Sequence, residues 1–180
     1  MGLSSHQRAI GKSQTHLTPR WLLDALGPFD LDPCAAPDPR PWPTAARHIV
    51  EAEDGLSQPW KGRVWMNPPF DSRVAGRWLG RLRDHGDGIA LVHARTEAAW
   101  FRPAWDSHGV MFLSKRVTFC TPDGVEQEGN SGAPVALIAF GKRNREILEG
   151  CDLEGALIMA WYHKGSYGRR DLLDTIPLSA

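Results

Sequence analysis

The stretch GRVWMNPPFDSR, Gly62 to Arg73, runs an apolar strand-like segment straight into Asn67, Pro68, Pro69 and Phe70. Proline fixes φ and carries no N–H, so this corner is stiff and its carbonyls are left free of a helix or a sheet ladder. Asn67 offers a side-chain carbonyl and Pro68 a backbone carbonyl. Two acceptors at a set separation suit a planar –NH2 group, and Phe70 supplies a flat apolar plate for a heterocycle. Asn and Pro also build ordinary tight turns, which is the plainer account of the same four residues.

Such a corner answers a chemical difficulty. The exocyclic amine of adenine is a poor nucleophile because its lone pair is delocalised into the ring. Acceptors on both hydrogens draw the nitrogen towards tetrahedral geometry and free the pair. With a methyl sulfonium held in line, the step is a displacement governed by positioning and electrostatics. No strong base is needed, since the proton can leave after transfer. A base inside a duplex would first have to be flipped out.

Alternating strand and helix signals surround the corner. TPRWLLDAL starts as a helix, with Thr18 as cap, Pro19 at the first helical position and Trp21, Leu22, Leu23 and Leu26 as its apolar face. FDLDP is expected as a short strand with Asp32 at its exit, followed by the proline-laden loop CAAPDPRPWPTAA. RHIVEAE reads equally as strand or short helix. SRVAGRWLGRLRDHG is a helix with Val74, Trp78 and Leu82 on one face and Arg73, Arg77 and Arg81 along another. GIALVHA and APVALIAFG are buried strands, and EAAWFRPAW is a short helix broken at Pro103. GVMFLS and RVTFC are strand pieces, TPDGVEQEGNSG is a polar loop, and GALIMAWYH is a possible edge strand. The alternation predicts an α/β domain with a largely parallel sheet, in which ligands bind outside the carboxyl ends of the strands.

Composition narrows the setting. The 180 residues, 42% hydrophobic, suffice for one compact domain, 17–180, behind a flexible arm over 1–16. Lys+Arg and Asp+Glu each number 21, so any nucleic-acid surface must be a local patch. Three scattered cysteines and seven histidines show neither disulfide nor metal-ligand spacing, so no metal is expected and His48, His93 and His108 read as structural. With scattered cysteines and no signal-peptide or membrane-spanning run, a cytoplasmic location is the expectation. Eight tryptophans are many, and some are expected to line a pocket.

LTPRWLLDALGPFDLDPCA, EDGL, VWMNPPF, LVHARTEAAWF and FLSKRVTF together resemble the phage-type DNA N6-adenine methyltransferase family, over about Thr18 to Gly141. The most specific element is NPPF, similar to the family's Asn/Asp-Pro-Pro-aromatic motif. The resemblance implies a single-domain, Rossmann-like methyltransferase sheet with helices on both faces, abbreviated between the first strand and the motif strand, with 142–180 as an extension. It implies S-adenosylmethionine as donor, S-adenosylhomocysteine as product and double-stranded DNA as substrate, with no membrane and no obligate protein partner. Asn67, Pro68, Pro69 and Phe70 would then be catalytic. Thr18 and Pro19, together with Asp32, Pro33, Cys34 and Ala35, would meet the cofactor along with Asn67. Asp54 would reach its adenine end, or be merely a turn acid.

The same resemblance puts Arg95, Thr96 and Trp100 near the substrate and gives Lys115 and Arg116 phosphate contacts. Arg73, Arg77 and Arg81 would track the DNA backbone, although a helical charge stripe is as readily a solvated face. Phe101 reads as core, and Cys34 as packing rather than a nucleophile. One departure from many amino-methyltransferases is that no glycine-rich turn follows Asp32-Pro33. Cytosine N4, RNA adenine or a protein glutamine would present a similar amine, and a non-catalytic nucleic-acid-binding module could share the fold.

Overall fold

A computed structural model describes residues 16–129 and 131–159. Most of the expected arm and the chain beyond Met159 lie outside the described residues. Seven strands form one sheet in the order β2-β1-β3-β4-β6-β5-β7. Their spans are Leu31–Ala35 (β1), Arg47–Val50 (β2), Val64–Met66 (β3), Gly88–His93 (β4), Gly109–Leu113 (β5), Val135–Phe140 (β6) and Gly155–Ile158 (β7). The helices are α1 (Arg20–Leu26), α2 (Ser72–His85) and α3 (Lys142–Gly150), with 3-10 turns at Glu51–Glu53 and Ala99–Asp106.

Strand alternation assigns the core. Val64 and Met66 face one way with Ala90 and Val92, and α2 covers them through Trp78, Leu79 and Leu82 beside Phe101 of the 3-10 helix. Trp65, Ile89 and Leu91 face the other way, beneath Leu22 and Leu26 of α1 and Leu148 of α3. Helices thus lie on both faces, as expected for a doubly wound sheet. Asp71 caps α2 by accepting from the Arg73 amide at 2.9 Å, and Gly86, with φ +81°, ends it.

Only half of the sheet is parallel, which corrects the expectation of a largely parallel one. β2, β1, β3 and β4 run together, whereas β6 is antiparallel to β4 and β5, and β7 is antiparallel to β5. β1 lies between β2 and β3, so the chain leaves it first to one side and later to the other. The crevice at that switch point, outside the carboxyl ends of β1 and β3, is where such sheets take ligands. Between these strands the chain forms only β2 and one 3-10 turn, the abbreviation anticipated from the sequence.

Several local expectations change. α1 begins at Arg20 with Pro19 as its cap residue in an extended conformation, so Thr18 makes no side-chain cap. Trp21 is 49% exposed, because the sheet contacts run through Leu22, Leu23 and Leu26. β1 continues through Pro33 to Ala35, which places Asp32 inside the strand instead of at its exit; the β1–β2 register is irregular between Asp32 and Ala35, around the residue that lacks an N–H. RHIVEAE is both things in turn, strand and then 3-10 turn. RVTFC forms isolated bridges at Cys120, to Leu17 and Glu126, in place of a strand. The 3-10 helix passes through Pro103 without breaking. α3 forms in KRNREILEG, where only Asn144 and Leu148 are buried and no apolar stripe signals a helix.

Candidate active site

The buried strand β3 delivers Asn67 to the switch point, just past its carboxyl end. The Asn67 Nδ2 donates to the backbone carbonyl of His16 at 3.0 Å, and its Oδ1 is buried without a hydrogen-bond partner among the described residues. A buried acceptor left unmatched costs free energy, which makes Asn67 Oδ1 a candidate to receive a donor from a ligand. Pro68 is buried beside it, Pro69 is exposed and Phe70 is half-buried.

Phe70 is not a bare plate. The imidazole of His93, the last residue of β4, stacks on it at 4.1 Å between centroids with 17° between planes. Phe119 meets it edge-on at 5.5 Å, and His16 lies 6.3 Å away at 29°. Burial, with Arg95 beside it, holds the His93 pKa below the ordinary histidine value, so the ring is held in its neutral form.

On the β4 side of the corner lies a cavity of about 390 Å³. Pro68, Pro69 and Phe70 form one wall, Ser72 and Ala75 of α2 another, and Val92, His93, Arg95, Glu97, Ala98 and Trp100 the rest. That is space for a nucleoside-sized group, with one aromatic indole and both signs of charge in its lining. Trp100 is the tryptophan that meets the expectation of a pocket-lining indole. Thr96 is exposed and outside this lining, while Phe101 is fully buried in the core as expected.

On the β1 side, Asp32 is 4% exposed. Its Oδ1 accepts from the Cys34 amide at 3.1 Å and its Oδ2 from the Thr44 hydroxyl. Burial nevertheless outweighs these bonds and raises its pKa from 3.8 to about 6. The Cys34 thiol is pushed well above its ordinary value, first by burial and then by Asp32, and the Asn67 backbone amide bonds to it. A neutral thiol packed against Asn67 fits a packing role. Pro33 and Ala35 are buried along the same strand.

The turn at Asp54 and Gly55 closes over this end. A Cβ on Gly55 would run into the Pro33 carbonyl oxygen, so only glycine permits the approach. Asp54 is exposed with φ +51°, a conformation tolerated by Asp in turns. Thr18 is buried; its carbonyl accepts from Trp42 Nε1 at 3.1 Å, and Pro19 is buried next to it.

The expected basic contacts are mixed. Arg73 pairs with Asp71 at the start of α2, and Arg81 lies over Trp60 at 5.3 Å, while Arg77 projects from an exposed position. Lys115 is bonded to Glu154 at 2.9 Å, and Arg116 is exposed. His48 Nε2 accepts from the amides of Thr44 and Ala45, and His108 Nδ1 from the Gly141 amide, so both serve structure. Among the described residues no cluster of three or more His, Cys, Asp or Glu could hold a metal, and no helix is long and apolar enough to cross a membrane.

His16, Glu97 and Gln127 belong to this neighbourhood without a signal in the sequence, and His93, expected to be structural, also lines its cavity and stacks on Phe70. His93 could have been found by the signal that marked Asn67, a polar residue ending a buried strand. His16 acts through its backbone carbonyl, which leaves no trace in residue type.

The sequence model of the family described as DNA N-6-adenine-methyltransferase (Dam) matches residues 11–154. No curated protein and no solved structure matches the chain.

Proposed function

The chain belongs to the DNA N-6-adenine-methyltransferase family, and from that premise we propose that it methylates the N6 amine of a flipped-out adenine in double-stranded DNA. The observation that carries this reading is the buried Asn67 Oδ1, unpartnered among the described residues, on an amide whose Nδ2 donates to the His16 carbonyl, next to Pro68, which lines a nucleoside-sized cavity. Family membership implies S-adenosylmethionine as the donor. When bound, it supplies an electrophilic methyl carbon and a neutral thioether leaving group.

The residues present fit such a donor. Asp32 on β1 stands one strand from β3 and Asn67, and among the described residues its buried carboxylate has no cation at hydrogen-bond distance. Asp32, Pro33, Cys34, Ala35, Thr18 and Pro19 would hold the donor, with Asp54 at its adenine end. An ammonium group near Asp32 would favour the ionised carboxylate and lower its raised pKa.

Asn67 Oδ1 and the Pro68 carbonyl accept the two hydrogens of the amine and turn its lone pair towards the methyl carbon. Bound there, the donor would supply the methyl group to the nitrogen and leave as the neutral thioether, and the surplus proton of the amine would pass to solvent. Orientation and fixed dipoles carry the rate. Phe70, backed by His93, gives the base an apolar surface, and Trp100 and Arg95 face it from the cavity wall. Arg73, Arg77, Thr96, Lys115 and Arg116 are assigned to the DNA backbone, with Arg77 and Arg116 the least engaged within the protein.

The test is methylation of plasmid DNA followed by mass analysis of its nucleosides. N6-methyladenine from the wild type, and none from Asn67→Ala, supports the reading. N4-methylcytosine, or equal activity in the variant, rejects it.

A further inference from the structure

An asparagine amide can present either its oxygen or its nitrogen to a substrate, and only the oxygen can accept from an amine. At Asn67 that choice is made from a distance of 51 residues in sequence: Nδ2 donates to the His16 carbonyl. Reversal of the amide would set Oδ1 against another carbonyl oxygen and offer an N–H to an N–H, losing both bonds.

His16 itself is clamped. Gln127 Nε2 donates to its Nδ1 at 3.2 Å and also to the Cys120 carbonyl at 3.4 Å. The next residue, Leu17, exchanges two backbone bonds with Cys120, each 2.9 Å, and the Thr18 carbonyl takes the Trp42 indole N–H. The imidazole packs 5.8 Å from Phe119 and 6.3 Å from Phe70. The loop between β5 and β6 and the proline-rich loop, far apart in sequence, thus both bond to residues 16–18, whose His16 carbonyl takes the Asn67 amide.

We propose that His16 and Gln127 are positioning residues for methyl transfer, Gln127 fixing His16 and the His16 carbonyl fixing the Asn67 amide with its oxygen towards the substrate amine. This rests on the function proposed above. Neither residue touches the reacting atoms. Loosening them lets the amide turn, which lowers the fraction of enzyme poised for transfer and leaves the donor crevice along β1 as it was.

The test uses the full chain carrying Gln127→Ala and, separately, His16→Ala. Single-turnover methylation of plasmid DNA is expected to slow about tenfold in each, a change of about 1.4 kcal/mol in the barrier. S-adenosylmethionine affinity by calorimetry is expected to stay within about twofold, a split that loss of packing alone would not produce. In the wild type without DNA, NMR of the Asn67 side-chain amide is expected to show protons protected from exchange, and Gln127→Ala to speed that exchange. Transfer at the wild-type rate in Gln127→Ala overturns the proposal, as does a loss of donor affinity matching the loss of rate. Should either variant fail to fold, fast exchange of the Asn67 amide in the wild type overturns it alone. A wild type that shows the protected amide yet yields no N6-methyladenine removes the proposed function and leaves the amide orientation standing.

Discussion

The Nε of Arg63 donates to Asn144 Oδ1 at 2.6 Å, joining the residue before β3 to the first turn of α3. Asn144 Nδ2 reaches Asp87 at 2.7 Å and the Phe140 carbonyl at 2.7 Å, while Arg63 Nη1 reaches the Pro28 carbonyl and the guanidinium lies 4.1 Å over Phe29. Both side chains are buried. Burial lowers the Arg63 pKa to about 10, still well above neutrality, so the group remains a cation. This network fixes the amino end of β3, the strand whose other end carries Asn67.

Removing Asn144 therefore leaves the buried Arg63 Nε–H without its acceptor. Asn144→Ala is expected to cost roughly 1–3 kcal/mol of stability, read as a lower denaturant midpoint with an unchanged slope. A loss below about 0.5 kcal/mol would show that the Asn144 amide does not satisfy the guanidinium in the fold.

Asp32 and His93 are expected to pull stability in opposite directions with pH. The Asp32 pKa is raised from 3.8 to about 6, so the folded state holds its proton more tightly and stability falls as pH rises through that window. Asp32→Asn should then raise the melting temperature at about pH 8 by several degrees, a gain that shrinks towards about pH 5, while weakening donor binding. A melting temperature unchanged at pH 8 would mean that the ionised carboxylate carries no burial cost.

For His93 the sign reverses. Its pKa is lowered, so the unfolded chain takes up the proton first and stability falls as pH drops below 6.5. His93→Gln should flatten that acid-side loss. It should also loosen Phe70, visible as weaker transfer to DNA with donor affinity preserved.

Gly55→Ala is expected to be severe for so small a change. The added methyl meets the Pro33 carbonyl, a backbone atom that cannot swing aside. Overpacking of this kind costs on the order of 1–3 kcal/mol, and the shift it forces on the end of β1 should weaken donor binding in calorimetry. Unchanged affinity would separate this turn from the donor crevice.

Arg77 and Lys115 allow a contrast on DNA. Arg77 is exposed and Lys115 is bonded to Glu154, so Arg77→Ala should weaken DNA binding and lower its salt slope more than Lys115→Ala does. The reverse order would place the DNA path over the loop between β5 and β6 instead of along α2.

What could be read from the sequence was local. The strand VWM, the stiff Asn-Pro-Pro-Phe corner and the helix that follows are set by residues within a few positions of one another, through apolar alternation, proline stereochemistry and an Asp cap. α3 escaped because its only buried residues, Asn144 and Leu148, make too thin an apolar stripe. The antiparallel direction of β6 escaped because an apolar run such as VALIAF is equally buried either way round. Its direction depends on how the long β5–β6 connection returns, and strand composition carries no record of that.

The sequence by itself determined that an asparagine, two prolines and an aromatic ring would stand at the end of a buried strand. Tertiary structure alone decided which way the Asn67 amide points, which ring backs Phe70 and which charges share its cavity. Those choices are made by His16, His93, Arg95 and Glu97 across long loops, and two of them rest on a backbone carbonyl and a ring stack that residue identity does not encode.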